Sequence, residues 1–255
     1  MISMPFGDFT IKSKTDLIEI LGEYGFLPFF ENSIEGFSIE EHISRDCWWH
    51  SDTGEWSAWE WKGPVIRETG CAYGKFFEKK ACYVSAEWFA DLANYRRDGY
   101  DFDARYDDGL APYGDKRLYE LIEKNSPIIS RDLKRLGNYK KGGNKGFDTI
   151  ITRLQAQGYA LISDFVYMKD RFGRPYGWGT AEYSTPEAFM GEKFTDSVYS
   201  RSPGESYERL LEHFCRMFPN TDIKQIKKFI KAIPHNSGVR IAQQDFSSDC
   251  TNKSR

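Results

Sequence analysis

Long apolar runs are missing from this chain: nothing approaches the roughly 20 consecutive apolar residues that a bilayer-spanning helix needs. The opening MISMPFGDFT lacks the charged-then-apolar layout of a secretory signal, so a cytoplasmic location is expected. Cysteine is scarce. The five present (Cys47, Cys71, Cys82, Cys215 and Cys250) are odd in number and include no C-x-x-C pair, which fits reduced thiols in a cytoplasm better than a disulfide frame. Metal motifs are equally thin. His42, Cys47 and His50 have no second ligand pair at finger spacing, and the Asp-rich DGYDFDARYDDG lacks the spacing of a calcium loop and its closing Glu. No metal and no cofactor are therefore expected, and the aspartates read as turn and cap formers. A net positive charge is absent too, since 35 Lys and Arg against 38 Asp and Glu leave −3, excluding a uniformly basic coat.

What is present is unevenly spread. Between Asp115 and Pro175 the chain carries 13 basic and 7 acidic residues, while the remainder carries 22 basic and 31 acidic ones. A basic middle between acidic flanks is the pattern of a polyanion-facing module within a soluble protein. With 255 residues and 40% hydrophobic content, the chain can bury a substantial core.

Along the chain, Thr15–Tyr24 reads as a helix capped by Thr15 or Asp16 and ended by Gly25, and residues 25–42 as a packed loop. From Cys47 to Ser85 the texture is β: AWEWKGPVIRET reads as a strand and CAYGKFFEKKACYVS as a hairpin. Trp59 and Trp61 then share one strand face, suited either to base stacking or, as large aromatics more often are, to the core. Ala86–Arg97 reads as a helix, and Pro112 with Gly114 marks a boundary.

Beyond that boundary come a helix (DKRLYELIEKN), a second (SPIISRDLKRLGN), a basic link (KKGGNKG), a third helix (GFDTIITRLQAQG) and two strands around a turn at Phe172-Gly173. Three helices followed by a hairpin is the order of a winged helix-turn-helix. The expected fold is thus α+β: an aromatic-rich mixed region over 1–113, a central winged helix over 114–190, helices over 191–235 and a disordered tail over 236–255.

On the third helix, Phe147, Ile150, Ile151 and Leu154 form an apolar stripe, and Thr149, Thr152, Arg153 and Ala156 lie opposite. Short side chains and an arginine on that outer face suit a recognition helix in a major groove. Lys140, Lys141 and Lys145 precede it, and Arg171 and Arg174 bracket the hairpin tip, placed to meet phosphate. Double-stranded DNA is the expected partner; a winged helix that binds protein is the alternative. Gln155 and Gln157 fall about 200° apart on a continuous helix and read as polar helix-end residues unless the chain is already extended there.

LQAQ, Leu154 to Gln157, is similar to the Gln-x-Gln motif of the AlkZ/YcaQ family of DNA glycosylases. The longer phrases GFLPFFENSIEGFSIEEH, CAYGKFF, DLANYRRDGYDFDARYDDGLAP, GFDTIITRLQAQGYALISDF and GRPYGWGTAEYSTPEAF resemble a group of bacterial proteins called AlkZ-related, over roughly Gly25 to Gly191. The resemblance implies a link to DNA repair. For the glycosylases it implies hydrolysis of the N-glycosidic bond of alkylated bases, with Gln155 and Gln157 positioning the water and stabilising the sugar cation.

Overall fold

The computed structural model describes residues 9–49, 57–173 and 175–231. The expected tail over 236–255, together with Arg174, His50 and Cys250, lies outside them.

The chain opens with α1 (Lys14–Tyr24), β1 (Phe26–Pro28), α2 (Ile39–His42) and α3 (Arg45–Trp48), then α4 (Ala58–Thr69), β2 (Ala72–Phe77), β3 (Lys80–Val84), α5 (Ala86–Arg97) and α6 (Phe102–Asp107). There follow α7 (Tyr113–Asn125), β4 (Ile128–Ile129), α8 (Ser130–Leu136), α9 (Phe147–Ala156), β5 (Leu161–Lys169) and β6 (Pro175–Ser184). The described chain closes with α10 (Pro186–Met190), α11 (Glu192–Val198), α12 (Pro203–Met217) and α13 (Ile223–Lys231).

The strands form one six-stranded antiparallel sheet in the order β1-β3-β2-β5-β6-β4. The two expected hairpins, β2–β3 and β5–β6, are joined edge to edge where Tyr73 faces Ile162, so the sheet runs across the boundary expected at residues 113 and 114. The C-terminal helices lie back on the first half: Phe229 stacks on Phe77 at 4.6 Å and Phe214 packs on Phe26 at 4.8 Å. Asp91 of α5 ties α12 down by accepting from Ser206 Oγ at 2.8 Å and from Arg209 Nε at 3.0 Å.

Several expectations change here. α1 is capped by Ser13, whose hydroxyl accepts from the Asp16 amide while Asp16 caps back, rather than by Thr15 or Asp16 alone. The larger correction is α4, which the alternating aromatics had suggested was a strand. Ser57 and Glu60 form a capping box at its start, Gly70 ends it in the left-handed region, and Ala58, Trp61, Val65 and Ile66 bury one face at helical spacing. Trp59 and Trp61 therefore do not share a strand face. The second helix of the basic half is also shorter than expected, because the two residues of β4 take up its expected start. In the Asp-rich stretch Asp101 caps α6, its carboxylate accepting from the Ala104 amide at 2.8 Å.

Among the described residues no three His, Cys, Asp or Glu side chains gather as a metal site, and no helix is long and apolar enough to cross a membrane. Cys71 and Cys82 are buried thiols.

Candidate functional site

The third helix of the basic half, α9, is more deeply seated than its sequence periodicity implies. Phe147, Ile151 and Leu154 are buried as the apolar stripe requires, but Thr152, Gln155 and Ala156 are buried as well. Of its residues only Asp148 and Thr149 are exposed, with Ile150 partly and Arg153 mostly covered. The expected outer face of Thr149, Thr152, Arg153 and Ala156 is therefore not assembled. The cause is packing from both sides, since α9 lies against β2 of the first hairpin as well as against α7.

Arg153 forks onto Asp115 of α7. Its Nε donates to Asp115 Oδ2 at 2.5 Å and a terminal nitrogen donates to Oδ1. Asp115 is 1% exposed and the Arg153 side chain 11% exposed. The hydrogen bonds to Asp115 raise the Arg153 pKa above the usual arginine value, with burial opposing them. This arginine is a strut between two helices, and its fork is taken.

Gln155 is equally committed. The β2–β3 register slips between Gly74 and Phe77, so the ladder is interrupted at Lys75. Gln155 Oε1 accepts from the Lys75 amide at 2.9 Å, while its Nε2 donates to the Ile151 carbonyl one turn back at 3.1 Å. Gly74 leaves room for this, because a Cβ there would stand 2.8 Å from Gln155 Oε1. Gln157, the C-cap, remains right-handed at φ −87° and ψ −4°. The chain is not extended at 155–157, and the two glutamines keep an angular separation of about 200°. Gln157 is 7% exposed and its Oε1 has no hydrogen-bond partner among the described residues. One glutamine is thus spent on the fold and the other has an open acceptor.

The C-terminal carbonyls of α9 and the turn after it are met by two buried arginines of α5 that sequence reasoning passed over. Arg96 donates to the Ala156 carbonyl at 3.1 Å, and Arg97 donates to the Gly158 carbonyl at 2.6 Å and to Glu187 Oε1 at 2.7 Å. Cations at a helix C-terminus satisfy carbonyls that lack intrahelical donors. The signal available was a helix ending in two arginines, which reads equally well as a solvated end.

The basic residues outside α9 are placed differently. Lys140, Lys141 and Lys145, in the link between α8 and α9, are exposed, and so is Thr149 at the first turn. Arg171 is exposed at the β5–β6 turn, its guanidinium 4.7 Å from the Phe172 ring centre. Asp148, also on this side, pairs with Lys134 at 3.7 Å.

A second feature is an aromatic cluster where the first half meets the β5–β6 hairpin. Trp59 of α4 lies 6.4 Å from Trp49 in a stacked arrangement and 5.9 Å from Trp178 of β6 edge-on. Trp49 and Trp178 are 62% and 68% exposed. The Lys62 amine sits 4.4 Å from the Phe165 ring centre and 4.7 Å from that of Trp59. Burial pushes its pKa down to about 8, with Glu60 pulling the other way.

A family model described as AlkZ related covers residues 11–231. No curated protein and no solved structure matches the chain.

Proposed function

The chain belongs to the AlkZ-related family, and from that membership and its exposed basic surface we propose that it binds double-stranded DNA through a winged helix-turn-helix in a role linked to DNA repair. The winged unit comprises α7, β4, α8, α9 and the β5–β6 hairpin. The observation that carries this reading is the pairing of β4 with β6, Ile128 opposite Tyr183 and Ile129 opposite Glu182. That pairing closes a helix–strand–helix–helix–hairpin order into a three-stranded wing. Lys140, Lys141 and Lys145 grip phosphate beside α9, Thr149 adds a hydroxyl at the helix start, and Arg171 meets the backbone from the hairpin tip, with Arg174, outside the described residues, a further cation of the same segment. Thr152 and Arg153 hold α9 in place and read no base.

Anisotropy titration of labelled duplex tests this reading. Replacing Lys140, Lys141 and Lys145 together by Glu is expected to weaken binding by at least tenfold at low salt while leaving the melting temperature in place. Unchanged affinity would assign the winged unit to protein partners instead.

A second reading, hydrolysis of the N-glycosidic bond of alkylated bases, is favoured by the open acceptor of Gln157. A buried amide oxygen without a donor is costly unless something fills its place, and a water can donate to it there. In this reading Gln157 holds the water, and Gln155 supports it by fixing α9 to β2. Base release from alkylated duplex that falls at least a hundredfold in Gln157→Ala, with folding retained, is the expected outcome. Release that the substitution leaves untouched removes Gln157 from the chemistry.

A further inference from the structure

Two tryptophans with most of their surface in water are an unusual use of the largest apolar side chain, since indole normally supplies buried area. Trp49 and Trp178 come from separate elements, yet both touch Trp59. The cluster therefore joins the first half of the chain to the hairpin of the second. At its centre the Trp59 Nε1–H is buried and has no acceptor among the described residues. Beside it the Lys62 amine, cushioned by the Trp59 and Phe165 rings, makes no salt bridge among them. Exposed flat faces beside an amine that makes no salt bridge among the described residues describe a site for something planar that accepts hydrogen bonds.

The location narrows the occupant. Lys169 and Arg171, both exposed, lie further out on the same hairpin that carries Trp178, so a polyanionic strand held there runs past the indoles. A nucleobase lifted out of its stack supplies a π face for the exposed tryptophans and ring nitrogens or carbonyl oxygens for the Lys62 amine.

We propose that Trp49, Trp59 and Trp178, with Lys62, form a site for a single unstacked nucleobase of DNA, so that the protein favours duplexes bearing an unpaired base. The site rests on the DNA-binding reading above and adds to it a class of substrate, duplex with a bulged or unpaired nucleotide. Base–aromatic stacking makes an unpaired site bind between about five- and a hundredfold tighter than paired duplex of the same sequence.

The test uses the full chain and two duplexes that differ only in whether one 2-aminopurine is paired or bulged. Anisotropy gives the two affinities, and 2-aminopurine emission reports stacking on an indole. Tighter binding of the bulged duplex, with quenching of its emission on complex formation, is the expected result. Trp178→Ala and Trp49→Ala should each cut the bulged-to-paired affinity ratio at least threefold, and Lys62→Gln should reduce it further than Lys62→Arg. Thermal melts check that each variant is folded. Equal affinity for both duplexes with unchanged emission overturns the base site and leaves duplex binding standing. Binding of neither duplex overturns both readings at once.

Discussion

Arg153→Ala removes the fork that faces Asp115 and leaves a carboxylate only 1% exposed without its countercharge. Breaking a buried pair by deleting one partner costs about 3–5 kcal/mol, because the remaining ion has lost its water as well as its partner. The Arg153 side chain keeps 11% exposure, which lets some water reach the gap, so the lower end, about 3 kcal/mol, applies. At about 2–4 °C per kcal/mol for a chain of this size, the melting temperature should fall by about 6–12 °C. Thermal unfolding by circular dichroism reads this directly. Replacing both partners by apolar residues, Asp115→Leu with Arg153→Met, should recover most of the loss, because no buried charge is then stranded. If Arg153→Ala melts within about 1 °C of wild type yet weakens DNA binding, the arginine is a reader of DNA and the strut assignment is wrong.

Gln155→Ala strands the Lys75 amide at the β2 irregularity and should destabilise by about 1–3 kcal/mol in urea unfolding. An unmoved midpoint would mean that water serves Lys75 equally well. Gly74→Ala should also destabilise, since its Cβ would stand 2.8 Å from Gln155 Oε1 and 2.9 Å from the Phe76 ring; an unchanged melting temperature would show that both side chains give way freely. His213 stacks on Trp88 at 4.1 Å and its Nε2 lies 2.7 Å from the Tyr24 carbonyl. Burial holds its pKa below the usual 6.5. The unfolded chain therefore takes up its proton first as pH falls, so this contribution to stability is complete above pH 6.5 and is lost as pH drops below it. Melting temperatures at pH 7.5 and 5.5 should converge in His213→Gln relative to wild type, and an identical pH dependence in both proteins would clear the imidazole of that role.

Where local pattern and tertiary packing agree, the sequence was a sufficient guide. Ala86–Arg97 reads as a helix from its sequence and has those bounds in the fold, and both hairpins are marked by aromatic and β-branched runs around turn residues. The α4 segment reads as a strand because its aromatic residues alternate, whereas the Ser57 to Glu60 capping box marks the helix that forms. The site was less legible for a different reason. Gln155 is buried by a register slip 80 residues away, Arg153 is claimed by a carboxylate 38 residues earlier, and the α9 carbonyls are met by Arg96 from 60 residues back. A helical wheel carries no information about partners at such separations. It correctly set the inward stripe of α9 and then left as solvent-facing a side that β2 and α7 cover. The aromatic cluster was visible as a run of tryptophans, but its meeting with Trp178 required the fold.

Affinity for plain duplex DNA measured across a salt series addresses the central claim most directly. Neutralisation of five phosphates by the lysine link and the hairpin tip predicts a log–log slope of about −4.5, and the Lys140, Lys141 and Lys145 reversal should flatten it by about 2.7. A slope indistinguishable from zero, or no binding at low salt, would contradict the account.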